Sequence, residues 1–236
     1  MPIRASALAI MAKAPIAGTV KTRLLPYLSA EDAAELARSL LLDQLSQLRA
    51  IETAADLYVA FTPLQEEALM KQLAPAPFQL FSQSEGDLGA RMQNIFSALF
   101  AKEYRNVVLI GADLPPVPLD YFAQAYDYLD GPEPRVVLGP SRDGGYYLVG
   151  LNRPMPAMFE NMTWSHDQVF TQTVTKLADL GIETRQLPIW FDIDTPDDLQ
   201  ILMTREDDRQ NASMKNTLKL LRRLGRRRRH ETTKPV

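Results

Sequence analysis

Short apolar segments alternate with segments of helical periodicity along most of this 236-residue chain, and this alternation limits its fold more than any other feature. Val107–Ala112 is a nearly continuous apolar run, as expected for a central strand that is covered on both faces. Strands that alternate with helices form a mainly parallel sheet between two helical layers. We therefore expect a Rossmann-like, three-layer α/β/α sandwich with strands at Ser6–Lys13, Ala55–Thr62, Phe78–Ser82, Val107–Ala112, Arg135–Leu138, Tyr146–Leu151 and Glu183–Leu187.

Several helix starts are marked by residues that can cap them. Ser29 and Asp87 each precede a segment of helical periodicity and suit the N-cap position. Thr195–Asp198 has the pattern of a capping box, which accounts for two of the four acidic residues in this region. Ser165 and Gln168 fit the same pattern and predict a helix from residue 165 to residue 180.

The composition excludes some classes of site. The chain contains no cysteine, so disulfides, thiolate metal sites and a cysteine nucleophile are excluded. Residues 209–236 hold ten Lys or Arg and one Glu, and subtracting this +9 from the net charge of −3 leaves −12 on the rest. An acidic body binds polyanions through local basic clusters or a divalent cation. We expect one folded domain over residues 1–204 and a basic, flexible tail over residues 205–236.

A loop that contains three cations follows the first predicted strand. Arg binds phosphate in a bidentate manner, Lys acts as a point charge, and glycine frees backbone N–H groups. The loop is not a Walker motif, because that motif requires glycine where this chain has Pro15 and Val20. Ordinary surface cations are the alternative. We expect the loop to bind the phosphates of a nucleotide through Lys13, Gly18, Lys21, Thr22 and Arg23.

Three aspartates that follow predicted strands are candidate metal ligands. Asp113 leaves the buried run that ends at Ala112. Asp192 and Asp194 alternate with Ile193 in an extended segment, so their side chains should share one face. A hard cation that bridges phosphates prefers carboxylate oxygens. We expect these aspartates to bind Mg²⁺ or Mn²⁺. The alternative is a helix or turn cap for Asp113, and simple solvent exposure for Asp192 and Asp194.

Two glycine-rich segments offer further site residues. Gly139–Tyr147 contains paired glycines that permit a tight turn. If this turn overhangs the binding site, Asp143 is a candidate general base for an acceptor hydroxyl, and a simple hairpin is the alternative. The segment Gln83–Met92 is a candidate for holding the base or ribose of a nucleotide, through Gly86 and Asp87.

The chain resembles the nucleotide-diphospho-sugar transferase (GT-A-like) superfamily over about residues 5–204. More closely, it is similar to the bacterial transferases found beside radical-SAM and arsenosugar or selenosugar genes. Relatives include phospholactate guanylyltransferase and the molybdopterin nucleotidyltransferases. The resemblance implies a GT-A-type fold and a metal-dependent transferase that uses a nucleotide-activated donor. It rests on five ordered segments, Lys13–Leu24, Gly86–Gly89, Gly111–Pro115, Arg142–Tyr147 and Asp192–Pro196.

Three functions follow as hypotheses. The first is transfer of a sugar from a nucleotide sugar to a small-molecule acceptor. The second is guanylyl or cytidylyl transfer from a nucleoside triphosphate, with release of pyrophosphate. The third is a non-catalytic, nucleotide-sensing or membrane-docked scaffold.

The expected partners and location follow from the same features. We expect no nucleic-acid partner. A solvated basic tail is the first interpretation of residues 205–236, and a weak contact of this tail with anionic membranes is the alternative. The apolar run Ala5–Ala12 is too short to span a bilayer, so the expected location is cytoplasmic.

Overall fold

The computed structural model describes residues 5–204 and 212–232. Its central element is a seven-stranded sheet with the order β3-β2-β1-β4-β6-β5-β7. Neighbouring strands are parallel except at β6, which runs antiparallel to β4 and β5. The strands are β1 Ser6–Lys13, β2 Asp56–Thr62, β3 Gln79–Ser82, β4 Asn106–Gly111, β5 Arg135–Pro140, β6 Tyr146–Leu151 and β7 Glu183–Gln186.

Two of the predicted caps begin helices that cover the sheet. Ser29 Oγ accepts a hydrogen bond from the backbone N–H of Asp32 at 3.1 Å. Asp87 Oδ1 accepts one from Ala90 N–H at 2.8 Å. Both caps are therefore confirmed. The helices are α1 Ala30–Leu48, α2 Glu67–Leu73, α3 Leu88–Phe100, α4 Leu119–Leu129, α5 Val169–Asp179, α6 Pro196–Thr204 and α7 Lys215–Thr232.

Alternate residues of β1 face two separate apolar layers. Leu8 and Ile10 pack with residues of α1, α2 and α4 on one face of the sheet. Ala7 and Ala9 pack with residues of α3 and α5 on the other. All four side chains are fully buried. The three-layer α/β/α fold predicted from the sequence is therefore confirmed.

The predicted capping box at Ser165 is wrong. Helix α5 begins at Val169, and Gln168 occupies the N-cap position without a side-chain hydrogen bond to the helix. The backbone of Ser165 adopts a left-handed conformation with a φ of 66°. His166 Nδ1 accepts the hydrogen bond from Gln168 N–H at 3.1 Å. The chain therefore makes a tight loop before the helix starts.

Helix α7 packs on α1, so the flexible tail predicted for residues 205–236 is wrong over this helix. Asp43 near the end of α1 accepts hydrogen bonds from the N–H groups of Asn216 and Thr217, each at 2.8 Å. Arg223 binds Asp32 near the start of α1 at 3.1 Å. The two helices are therefore antiparallel. Residues 205–211 and 233–236 lie outside the described residues. The apolar face of α7 joins the core through Leu220, Leu221 and Leu224.

Candidate active site

A cavity of about 620 Å³ lies at the carboxyl ends of β1 and β4. Ligands of open α/β sheets bind at this edge. The volume falls within the range of about 300–1,000 Å³ that is usual for small-molecule sites. The charged residues that line it include Lys13, Arg23, Asp113, Asp143, Asp192 and Asp194.

The last residue of β1 and the loop after it place two of the three cations at the cavity. Lys13 is exposed, and its ammonium donates to the carbonyl oxygen of Thr19 at 2.8 Å, which folds the loop back on itself. Gly18 provides the turn with a φ of 77°, a conformation that favours glycine. Arg23 is exposed and also lines the cavity. Lys13 and Arg23 are therefore both exposed to an anionic ligand that enters from solvent.

Lys21, the third cation, points inward. Its side chain is 1% exposed, and its ammonium lies 2.6 Å from Asp113 Oδ1 and 3.0 Å from Asp194 Oδ1. It also donates to the backbone carbonyl oxygen of Asp113 at 3.3 Å. Burial acts to lower the pKa of Lys21, but its interactions with the two aspartates outweigh burial and raise the pKa above its usual value. Lys21 is therefore charged and held between two carboxylates.

The segment after β7 brings Asp194 beside Asp113. Ile193 N–H donates to the backbone oxygen of Asp113 at 2.9 Å. The Ile193 side chain is fully buried in the core below. Alternation then turns Asp192 and Asp194 toward the cavity, as the sequence predicted.

Asp192 differs from the other two aspartates in its surroundings. Ser141 Oγ donates to Asp192 Oδ1 at 3.2 Å. Burial, together with the nearby charges of Asp143 and Asp194, raises the pKa of Asp192 to about 7. A carboxyl group with this pKa exchanges its proton near neutral pH.

The turn between β5 and β6 lies at the rim of the cavity. Gly144 has a φ of 86°, and its carbonyl oxygen accepts a hydrogen bond from Phe170 N–H at 2.8 Å. A Cβ atom on Gly144 would lie 2.0 Å from the backbone oxygen of Asp167. Asp143 Oδ1 accepts from Gly145 N–H at 3.0 Å. The turn is thereby fixed against the loop before α5, with Asp143 exposed and lining the cavity.

The remaining predicted nucleotide-binding residues do not line this cavity within the described parts of the chain. Gly86 has a φ of 112°, and Asp87 caps α3. Thr22 and Gly18 belong to the outer part of the first loop. Their roles in binding stay predictions.

The sequence did not single out Trp164, which forms one wall of the cavity. Its ring stacks on Phe159 and meets Tyr146 edge-on. It also covers the first turn of α3, where a Cβ on Gly89 would lie 2.4 Å from the indole nitrogen. Arg91 of the same helix also lines the cavity. The only signal in the sequence was the glycine at the start of a helix, which does not identify its distant partner.

Asp113 and Asp194 fit a divalent cation only if a ligand supplies further oxygen atoms. Among residues 5–204 and 212–232, no group of three or more His, Cys, Asp or Glu side chains forms a ready metal site. The ion pairs of Lys21 use Oδ1 of Asp113 and Oδ1 of Asp194, so the second oxygen of each carboxylate lies outside these pairs. Mg²⁺ is often held by one or two carboxylates together with substrate phosphates. The donor set fits Mg²⁺ or Mn²⁺ when phosphate oxygens complete the coordination.

Comparison with known proteins identifies a family and similar solved structures. The family model described as an uncharacterized protein conserved in bacteria (DUF2064) matches residues 44–166. A protein from Desulfovibrio desulfuricans G20, provisionally named a nucleotide-diphospho-sugar transferase, has a TM-score of 0.85 and 31% identity. That match covers 95% of this chain and 98% of the other. No curated protein sequence matches the chain.

Two more distant structures share the fold. A cytidylyltransferase from Leptospira borgpetersenii has a TM-score of 0.59 at 12% identity and covers 99% of both chains. The 4-diphosphocytidyl-2C-methyl-D-erythritol synthase from Anaerococcus prevotii has a TM-score of 0.53 at 10% identity, over 84% of this chain and 96% of its own.

In residues 5–204 and 212–232, no helix is long and apolar enough to cross a membrane.

Proposed function

The chain belongs to the DUF2064 family of bacterial proteins, within the nucleotide-diphospho-sugar transferase superfamily, and we propose that it transfers a sugar from a nucleotide sugar to a small-molecule acceptor. The observation that carries this proposal is the distribution of charge around one cavity. Lys13 and Arg23 line it beside the loop after β1, and three aspartates line it at the ends of β4 and β7. This arrangement suits a ligand that carries a diphosphate and a neutral, hydroxyl-bearing group.

The donor diphosphate would be bound by the first loop. Arg23 can make bidentate contacts to phosphate oxygens, and Lys13 adds a point charge. Both residues are exposed at the cavity, so they can reach a ligand without breaking a buried contact. The 31% identical relative from Desulfovibrio desulfuricans supports this donor class.

We propose Mg²⁺ or Mn²⁺ as cofactor, held by Asp113 and Asp194. When bound, the ion acts as a Lewis acid that stabilises charge on the departing nucleoside diphosphate. Asp192 is less suited to bind it, because Ser141 already donates to one of its oxygens and its pKa is raised.

The acceptor step needs a group that takes a proton. In an inverting reaction, the acceptor oxygen attacks the anomeric carbon, the bond to the diphosphate breaks, and the acceptor proton passes to a base. Asp143 is the proposed base, because it is exposed at the rim of the cavity. Asp192 is a second candidate, since burial first and then neighbouring charge raise its pKa to about 7. The pH–rate profiles of Asp143→Asn and Asp192→Asn would distinguish the two.

Product analysis tests the proposal. Incubation with nucleotide sugars, small-molecule acceptors and Mn²⁺ should release nucleoside diphosphate, and Asp113→Asn should reduce the rate by about 100-fold. Asp127→Asn removes an exposed carboxylate from α4 and should leave the rate unchanged. Absence of nucleoside diphosphate, or full activity of Asp113→Asn, would contradict glycosyl transfer.

Nucleotidyl transfer is the alternative that uses the same cavity. Here an acceptor oxygen attacks the α-phosphorus of a nucleoside triphosphate, and pyrophosphate leaves. Its support is the positive charge of the first loop, which suits a departing pyrophosphate, and the fold shared with cytidylyltransferases. Pyrophosphate release from GTP or CTP with a phosphorylated acceptor would favour this reaction.

A membrane-docked role is the candidate from another class. Arg222 and Arg226 are exposed on α7, whose sequence continues as Arg227–Arg229. Arg223 is already paired with Asp32. Because the leucines of α7 are buried against α1, contact with a membrane would be electrostatic and limited to anionic lipids.

A further inference from the structure

We propose that Lys21 keeps Asp113 and Asp194 charge-compensated in the nucleotide-free protein, so that a divalent cation binds well only together with the phosphates of the donor. This inference rests on the proposed function for the identity of the ligand. It assigns Lys21 to positioning the carboxylates, in place of the direct phosphate contact predicted from the sequence.

The hydrogen bonds of Lys21 leave its ammonium without a free donor for a phosphate. A lysine ammonium has three N–H donors. Three acceptors surround it, namely Oδ1 of Asp113 at 2.6 Å, the backbone oxygen of Asp113 at 3.3 Å and Oδ1 of Asp194 at 3.0 Å. A phosphate oxygen could therefore bind Lys21 only after one of these contacts is lost.

The backbone holds Lys21 in this inward position. Lys21 adopts a left-handed conformation, with φ 50° and ψ 37°, at the start of the short 3-10 helix Thr22–Leu24. Its carbonyl oxygen accepts from Leu24 N–H at 2.9 Å. Val20 and Leu24 on either side are buried. The lysine is therefore fixed by the fold of the loop, unlike its exposed neighbours Lys13 and Arg23.

The charges of Lys21, Asp113 and Asp194 determine how strongly this site binds a divalent cation. Two carboxylates without a lysine present two negative charges to an incoming ion, whereas Lys21 neutralises one of them. Each unit charge within about 4 Å contributes several-fold to ion affinity even in a polar environment. A donor diphosphate restores the missing negative charge and adds oxygen ligands. The ion and the donor are then expected to bind together.

Direct titration of the complete chain with Mn²⁺ alone, followed by electron paramagnetic resonance of free Mn²⁺, tests the inference. Wild-type protein should bind Mn²⁺ with a dissociation constant of about 1 mM or weaker. Lys21→Met should bind it about tenfold more tightly, because the compensating charge is gone. Lys71→Met removes an exposed cation from α2, where it pairs with Glu67 and does not line the cavity, and should change the affinity less than about threefold.

Further variants make the outcome decisive. Lys21→Met combined with Asp194→Asn removes one charge of each sign and should lose the added affinity. Lys21→Gln provides a polar replacement if the methionine variant does not fold, as judged by circular dichroism. Unchanged or weaker Mn²⁺ binding by a folded Lys21 variant would overturn the proposal. Tight Mn²⁺ binding by the wild-type chain without nucleotide would also overturn it. Neither result depends on whether the chain transfers a sugar.

Discussion

The ammonium of Lys21 lies 3.0 Å from Oδ1 of Asp194, a residue 173 positions later in the chain. The lysine side chain is 1% exposed, and that of Asp194 is 38% exposed. A charge that is left without its partner is costly when it is buried, and less so when it is exposed, because water can then solvate it. Loss of the aspartates should therefore cost more unfolding free energy than loss of the lysine.

Removing both carboxylate partners should destabilise the protein more than removing Lys21. The double variant Asp113→Asn with Asp194→Asn leaves a buried ammonium without the two carboxylates that contact it, and we expect it to lose about 3 kcal/mol of unfolding free energy. Lys21→Met should lose about 1 kcal/mol or less. Urea unfolding at neutral pH measures both. A larger loss of unfolding free energy in Lys21→Met than in the double variant would contradict this explanation.

Asp192 should make stability depend on pH. Burial first, and then Asp143 and Asp194, raise its pKa from 3.8 to about 7. The folded protein then holds this proton more tightly than the unfolded chain does. The associated stability is fully present below pH 3.8 and is lost as the pH rises through about 7. Because Asp192→Asn stays neutral, its stability relative to wild type should increase by about 3 kcal/mol between pH 4 and pH 8.

Urea unfolding of both proteins across this pH range gives the comparison. Asp197→Asn is a matched control, because this aspartate is exposed in the same segment at the start of α6. It should follow the wild-type curve. Parallel curves for wild type and Asp192→Asn would mean that the pKa of Asp192 is the same in the folded and the unfolded chain.

Gly144 should tolerate substitution poorly. Its φ of 86° disfavours a side chain, and a Cβ would lie 2.0 Å from the backbone oxygen of Asp167. We expect Gly144→Ala to cost about 3 kcal/mol, because the turn or the facing loop must move. Gly181 has a similar φ of 67°, but a Cβ atom there would have no other atom within 4 Å. We therefore expect Gly181→Ala to cost only about 1 kcal/mol. Thermal unfolding compares the two, and equal losses would mean that backbone conformation alone is responsible.

Local patterns predicted the parts of the site that depend on adjacent residues. The helix start at Thr195 is an example, since Asp198 Oδ2 accepts from Thr195 N–H at 2.8 Å, as the capping pattern indicated. The contacts of Lys21 could not be predicted in this way, because its partners lie 92 and 173 positions away. The sequence pattern does not distinguish Lys21 from Lys13 and Arg23, and it predicted phosphate binding for all three. The left-handed backbone at Lys21 separates it from the other two.

The C-terminal arginines should affect membrane contact without affecting the fold. A chain that ends at Arg226 keeps the three buried leucines of α7 and its contact with Asp32. We expect its unfolding free energy to stay within about 0.5 kcal/mol of wild type. Sedimentation with vesicles containing phosphatidylserine should show weaker binding than for the full chain, and the difference should shrink at high salt. Equal sedimentation of the two proteins would exclude docking through these arginines.

A thermal-shift screen of nucleotides and nucleotide sugars, with and without Mn²⁺, tests most directly that the cavity binds a nucleotide-activated donor. A ligand present at 100 times its dissociation constant stabilises the native state by about 2.7 kcal/mol. We expect at least one nucleotide sugar to raise the melting temperature of the wild-type protein, and Arg23→Met to lose most of this shift. No shift with any nucleotide or nucleotide sugar, or an equal shift in Arg23→Met, would contradict this function for the cavity.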